Sequence, residues 1–178
     1  MTPADLKALI RTVPDFPKPG ILFRDITTLI ADGAGFAATI DLLADQTLAA
    51  KAEAIAGMEA RGFIFGAAVA ASLALPFLPV RKPGKLPVPV LSIDYALEYG
   101  TDTLEVDPSA IHTGQRVIII DDLIATGGTA TAAVRLLRSA GAQVDQALFA
   151  IDLPDLGGAE RLRALDVRVS ALMDFPGH

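Results

Sequence analysis

The chain has 178 residues, 52% hydrophobic and 20% charged, with a net charge of −6; this is the composition of a folded domain with a substantial core, not of a disordered chain. An acidic chain offers no basic surface to offset a phosphate backbone, so nucleic acid is not an expected partner. Cysteine is absent and His112 and His178 are the only imidazoles, which excludes a disulfide framework, a thiolate zinc site and a histidine metal cluster.

The opening residues, MTPADLKALIRTVPDFP, carry no apolar signal core, and a cytoplasmic protein is expected. Residues 5–13 read as a short amphipathic helix. Residues 14–20 (PDFPKPG) are too rich in turn formers for regular structure. Residues 21–30 read as a short strand or loop, and 35–51 as a helix with Phe36, Ile40, Leu43 and Leu48 inward. Residues 54–57 form a strand. The nineteen residues 62–80 carry no charge, a length that could cross a bilayer. Pro76 and Pro79 would break such a helix, so the reading is a buried helix over 63–75, a buried strand over 77–81, and no membrane span. Residues 88–96 and 103–106 read as two strands around the loop 97–101, an inserted hairpin or flap. Strands over 144–151 and 167–173 flank a helix over 158–165. Strands alternating with helices predict a parallel α/β sheet.

The most informative stretch is VIIIDDLIATGGT, Val117 to Thr129. Val117, Ile118, Ile119 and Ile120 make a strand buried on both faces. Asp121 and Asp122 stand where that strand is expected to end. Ala125, Thr126, Gly127, Gly128 and Thr129 then lead into a helix with Val134, Leu136 and Leu137 on one face. Open α/β sheets bind ligands at the carboxyl ends of their strands. Glycines let a backbone close around an anion, and a helix N-terminus offers it free N–H groups and a positive dipole end. The loop is built for a phosphate. Two acids beside a phosphate cradle repel the anion, so they must grip something else on the same ligand: ribose hydroxyls or a bridging magnesium. A sugar phosphate satisfies both halves. Neither a Walker A lysine nor a GxGxxG fingerprint is present.

Hydrophobic strand, paired acids and TGGT-type loop together resemble the signature with which phosphoribosyltransferases bind phosphoribosyl pyrophosphate. Four other segments resemble the adenine phosphoribosyltransferases in particular. EARGFIFG, with Glu59, Ala60 and Arg61, looks like the family's pyrophosphate loop, where a strained peptide exposes backbone N–H groups to the diphosphate. Arg61 offers that anion a planar fork. RKPGKLP, with Arg81, Lys82 and Lys85, is similar to a second pyrophosphate-binding segment, and a local cationic cluster in an acidic chain would focus a polyanionic substrate. SIDYALEYGTDTLE resembles the flexible catalytic flap, which implies Glu98 as the proton-transfer residue and lets Tyr95 and Tyr99 close over the ligand. PDFPKPGILFRDITT resembles the base-binding segment, with the backbone of Leu22 and Arg24 at the ring edge and the ring between Phe23 and Leu123.

The resemblance implies a type I phosphoribosyltransferase fold: one domain over 1–178, a central mostly parallel sheet flanked by helices, a small base-binding hood over 1–34 and a flap over 88–107. It implies adenine plus phosphoribosyl pyrophosphate giving AMP plus pyrophosphate. Glu98 and Arg61 are the candidate catalytic residues, Mg2+ is the cofactor, held mainly by substrate rather than by direct protein ligands, and a homodimer is expected. A phosphoribosyltransferase for another base, such as xanthine or orotate, and a non-catalytic phosphoribosyl pyrophosphate sensor are the alternatives.

Overall fold

A computed structural model describes residues 1–97 and 100–177. Helix α1 (Pro3–Leu9) begins with a capping box between Thr2 and Asp5. It is shorter than the expected 5–13. Thr12 and Val13 are β-branched and Pro14 has no N–H, so Arg11–Pro14 (β1) leaves the helix and pairs antiparallel with Leu22–Asp25 (β2). Arg11 forms an ion pair with Asp25, directly across this ribbon. The second half of segment 21–30 is not strand or loop but the short helix α2 (Thr27–Ala31).

Helix α3 (Gly33–Ala49) starts where Asp32 accepts the Gly35 N–H at 2.7 Å. Ile40 and Leu43 are buried as expected, but Leu48 is 59% exposed. Thr47 takes the inward place, its hydroxyl donating to the Leu43 carbonyl at 2.8 Å. The uncharged stretch 62–80 divides as expected. Strand β3 (Ala54–Met58) leads into helix α4 (Arg61–Leu73), Ala74 closes the helix at φ 53°, and strand β4 (Phe77–Val80) follows. Among the described residues no helix is long and apolar enough to cross a membrane.

Strands β5 (Leu91–Ala96) and β6 (Thr101–Val106) form an antiparallel hairpin whose root is tied to Arg81 by two reciprocal backbone hydrogen bonds, Glu105 N–H to the Arg81 carbonyl at 2.8 Å and Arg81 N–H to the Glu105 carbonyl at 2.9 Å. Next come β7 (Arg116–Ile124), helix α5 (Gly128–Ser139), β8 (Gln143–Asp152), helix α6 (Gly158–Arg163) and β9 (Arg168–Asp174). Five strands make one parallel sheet in the order β4-β3-β7-β8-β9. β7 shows why its sequence is apolar without alternation. Val117 and Ile119 face a layer built from α5, α6 and β6, while Ile118 and Ile120 face α1 to α4. The order sets β3 beside β7, so the loops after these two strands open side by side at the carboxyl edge.

Candidate active site

β7 does not end at the acids. It runs through Asp121 and Asp122 to Ile124, with Asp121 opposite Phe149 and Leu123 opposite Ile151 of β8. The acids are therefore held by ladder bonds inside the sheet edge rather than on a loop. Asp122 is 2% exposed. Its N–H donates to Asp121 Oδ1 at 2.8 Å. The Asp121 carboxylate lies against Gly62, where a Cβ would come within 2.7 Å of Oδ1. Arg61, half exposed at the start of α4, sets its Nε 3.0 Å from Asp122 Oδ2. Burial, and next the like charge of Asp122, hold the Asp121 carboxyl well above the usual carboxylate range. Burial raises Asp122 as well, with Arg61 opposing it.

Beyond Ile124 the chain turns through Ala125 and Thr126 into Gly127, which sits at φ 77° and begins α5 without any side-chain cap. The first N–H groups of α5 are thus open to a ligand. The turn is braced from behind by Gly158 at the start of α6, whose N–H donates to the Ala125 carbonyl at 2.9 Å. A Cβ on Gly158 would fall 2.3 Å from that carbonyl oxygen and 2.8 Å from Gly127 N. One on Gly127 would meet the Gly158 backbone at 2.9 Å. Two backbones touch here because neither carries a side chain. Residues 121–129, together with Glu59, Ala60, Arg61 and Lys82, enclose a cavity of about 250 Å³.

Two further cations, Arg81 and Lys82, are engaged with the protein's own groups. Glu59, whose peptide bond to Ala60 is cis, accepts the Lys82 N–H and lies 3.4 Å from Arg81 Nε. It therefore fastens the 81–82 segment beside the cavity. Lys82 Nζ reaches Asp102 and donates to Tyr95 Oη at 3.1 Å; Thr129 Oγ1 donates to the same phenol at 3.3 Å. Tyr95 is in this way linked to the root of α5. Lys85 is exposed. Glu98 and Tyr99 lie outside the described residues.

A second cavity, of about 270 Å³, opens beside Arg61. Leu22, Phe23 and Arg24 of β2 form one wall, and Leu123, Leu153 and Leu156 line the rest. Phe23 and Leu123, far apart in sequence, border the same space. β2 has only β1 as a strand neighbour among the described residues, so its other edge has backbone N–H and C=O groups to offer a ligand. Arg24 differs from the other wall residues: its guanidinium is buried and turned away to Thr12 Oγ1 at 2.6 Å and the Pro176 carbonyl at 2.9 Å.

The phosphoribosyl transferase domain family matches residues 26–175. The chain belongs to the phosphoribosyltransferase family. An adenine phosphoribosyltransferase of Novosphingobium aromaticivorans is 71% identical over 178 residues, covering 100% of both chains. One from Erythrobacter litoralis is 67% identical over the same span, again covering 100% of both. Among solved structures, the adenine phosphoribosyltransferase of Thermoanaerobacter pseudethanolicus superposes with a TM-score of 0.92 at 46% identity, covering 98% of this chain and 100% of that one. The Saccharomyces cerevisiae enzyme, solved with an imino-altritol bisphosphate and adenine, gives a TM-score of 0.90 at 37% identity, covering 96% and 97%. Two contributors to this family site escape sequence reading: the charge pairing of Arg61 with Asp122, and the brace at Gly158. Only the order of strands in the sheet and the register of their loops reveal them.

Proposed function

We infer that this chain is an adenine phosphoribosyltransferase, moving the 5-phosphoribosyl group from phosphoribosyl pyrophosphate to adenine and forming AMP and pyrophosphate. The observation that carries the reading is the side-by-side arrangement at one sheet edge. A bare helix N-terminus sits next to a pair of acids, Asp122 buried and Asp121 partly so, with an apolar cavity bordered by Phe23 and Leu123 beyond Arg61.

In this reading residues 125–129 hold the 5-phosphate, where a dianion meets open N–H groups and the positive end of α5. Asp121 and Asp122 take the ribose diol. Arg61, Lys82 and the 59–60 backbone face the leaving pyrophosphate, with Arg81 and Lys85 contributing charge from behind. Adenine lies between Phe23 and Leu123 with its edge on the backbone of 22–24. Glu98, which the family resemblance assigns to proton transfer, serves the purine nitrogen. Residues 1–34 are the hood over the base. Residues 88–107, with Tyr95 and Tyr99, are the flap that excludes water from the oxocarbenium-like centre as the anomeric bond breaks.

Magnesium fits the acids present. Asp122 Oδ2 is buried and makes no well-aligned hydrogen bond among the described residues, its one close cation being the half-exposed Arg61 Nε at 3.0 Å, and Asp121 is loaded by a like charge. A divalent cation brought by the diphosphate would relieve both and neutralise the leaving group. A cytoplasmic homodimer completes the proposal, with light scattering in solution as the check on its mass.

The test is nucleotide formation by the purified protein with adenine, hypoxanthine and guanine in parallel. A backbone carbonyl and N–H on 22–24 match adenine's amino donor and bare ring nitrogen and oppose the 6-oxo pattern. No lysine between residues 21 and 41 is present to receive a carbonyl. Two mismatched polar groups at about 1–3 kcal/mol each give adenine an advantage on the order of 10²–10⁴-fold. Equal turnover of hypoxanthine would overturn the backbone-reading model and leave the base unspecified.

A further inference from the structure

The walls of the base cavity come from three places, β2, the end of β7 at Leu123 and the turn after β8, and β2 bonds directly to neither of the others through any hydrogen bond described. What joins them is the short segment after β9, residues 175–177. On one side it is pinned to the turn after β8. Phe175 N–H donates to the Asp152 carbonyl at 3.0 Å and Gly177 N–H donates to the Asp155 carboxylate at 2.7 Å. These bonds bracket Leu153, a wall residue, and the Asp155 bond sits next to Leu156. On the other side it is pinned to β2. Arg24 Nη2 donates to the Pro176 carbonyl at 2.9 Å, and the Arg24 guanidinium lies 4.8 Å from the centroid of the Phe175 ring. Lys7 of α1 lies at the same 4.8 Å from that ring. Arg24 Nη1 also donates to Thr12 Oγ1 at 2.6 Å, so the guanidinium fixes both strands of the β1–β2 ribbon at once. Phe175 and Arg24 are each 8% exposed.

We propose that the Arg24 side chain and residues 175–177 form a brace that sets the width of the base cavity, making them determinants of base affinity and base size although the brace lies behind the wall. The brace takes this role from the adenine reading above. A planar ring held between two apolar surfaces loses contact steeply when the gap widens by a fraction of an ångström, because dispersion contacts fall off with high powers of distance. A guanidinium is suited to the task. Its rigid fork serves Thr12 and Pro176 together while its face meets Phe175. A lysine would keep the charge near the ring but lose the fork.

The experiment compares steady-state kinetics of the full-length wild type with Phe175→Ala, Arg24→Met, Arg24→Lys and Asp155→Ala, in magnesium. Phe175→Ala and Arg24→Met should raise the adenine KM about 10-fold while the phosphoribosyl pyrophosphate KM and kcat stay within about 3-fold. Arg24→Lys should recover part of the loss. The preference for adenine over the bulkier 2,6-diaminopurine should shrink in both damaging variants, a change that simple loss of stability does not produce. Asp155→Ala, at an exposed position, gives a milder version of the same pattern in a chain that still folds. A wild type that forms no nucleotide overturns the adenine reading and the brace with it. A wild type that forms AMP, with variants whose adenine KM is unchanged or whose two KM values rise together, overturns the brace alone.

Discussion

Helices α4 and α5 start at the same edge of the sheet, after adjacent parallel strands, and their first turns are furnished in opposite ways. At α4 the first turn is already met by the protein's own acids: Asp122 pairs with the Arg61 side chain and the Asp121 carboxyl rests on Gly62. At α5 the first turn holds no acid and Gly127 supplies no cap. Glycine decides both cases, by different routes. Gly62 makes room for a side chain, while Gly127 and Gly158 make room for each other's backbone. One end is neutralised before any ligand arrives; the other is left to a ligand. In the proposed reaction the difference sorts the substrate. A monophosphate is taken directly at α5, whereas a diphosphate at α4 meets carboxylates and is better received together with a divalent cation.

The largest effect should come from removing the charges at α4. The double substitution Asp121→Asn with Asp122→Asn keeps shape and deletes both anions. At about 1.5–3 kcal/mol for each charged hydrogen bond to a buried diol, turnover should fall on the order of 10²–10⁴-fold. Near-normal activity would remove these acids from the ribose site and with them the contrast between the two helix ends.

Next in size is the backbone contact at α5. Gly158→Ala drives a Cβ into the Ala125 carbonyl, and Gly127→Val adds a side chain at a positive φ. Both should weaken phosphoribosyl pyrophosphate by about 10–100-fold and adenine far less. Titration calorimetry with each ligand separates the cases; equal losses would mean the whole edge has collapsed, not the phosphate turn.

A smaller effect is expected at Lys82, whose ammonium is held by Asp102, itself drawn below the usual carboxylate range chiefly by that contact. The pair is partly exposed, and such pairs are worth about 0.2–1 kcal/mol. Asp102→Asn should therefore lower the phosphoribosyl pyrophosphate KM by no more than about 5-fold, and Lys82→Met should raise it. If both substitutions move KM the same way, Lys82 is a fastener of the hairpin and not a cation for substrate.

Sequence made the turn at 125–129 legible because its ingredients are contiguous. An apolar run, two acids and TGGT sit within thirteen residues, and each has a local physical meaning. The α/β class followed from the alternation of apolar runs with helical periods. What sequence could not supply was pairing across the sheet. Arg61 meets Asp122 only because β3 lies next to β7, and Gly158 reaches Gly127 only because β8 lies on β7's other side. Local overrides misled it too. α1 stops early because the β1–β2 ribbon claims Arg11–Pro14, and Leu48 is exposed because Thr47 satisfies its hydroxyl on the helix and goes inward. Arg24 borders the cavity beside β2, but nothing near it in sequence announces Phe175 or Pro176.

The smallest effect sharpens the comparison most, because it changes sign with the readout. Burial and the neighbouring Asp122 charge hold Asp121 well above the ordinary carboxylate value of 3.8. Between that value and the raised one, the folded chain keeps a proton that the unfolded chain has released. Folding stability is then complete at acidic pH and declines as pH rises through this window. Asp121→Asn removes the titration. The amide is close to isosteric beside Gly62, and its Oδ1 still accepts the Asp122 N–H. The ligand-free variant should melt about 2–4 °C above wild type near pH 8, the shift that ~1 kcal/mol gives in a chain of this size. That advantage should fade toward about pH 4, where the unfolded carboxyl also takes up its proton. The same variant should be impaired in turnover. Gly158→Ala, at the other helix end, should lose both stability and phosphoribosyl pyrophosphate affinity, because there the backbone contact is structure and site at once. A wild type and an Asp121→Asn variant with parallel melting profiles from acid to base would mean that no charge is stored at α4, and the two helix ends would differ in geometry alone.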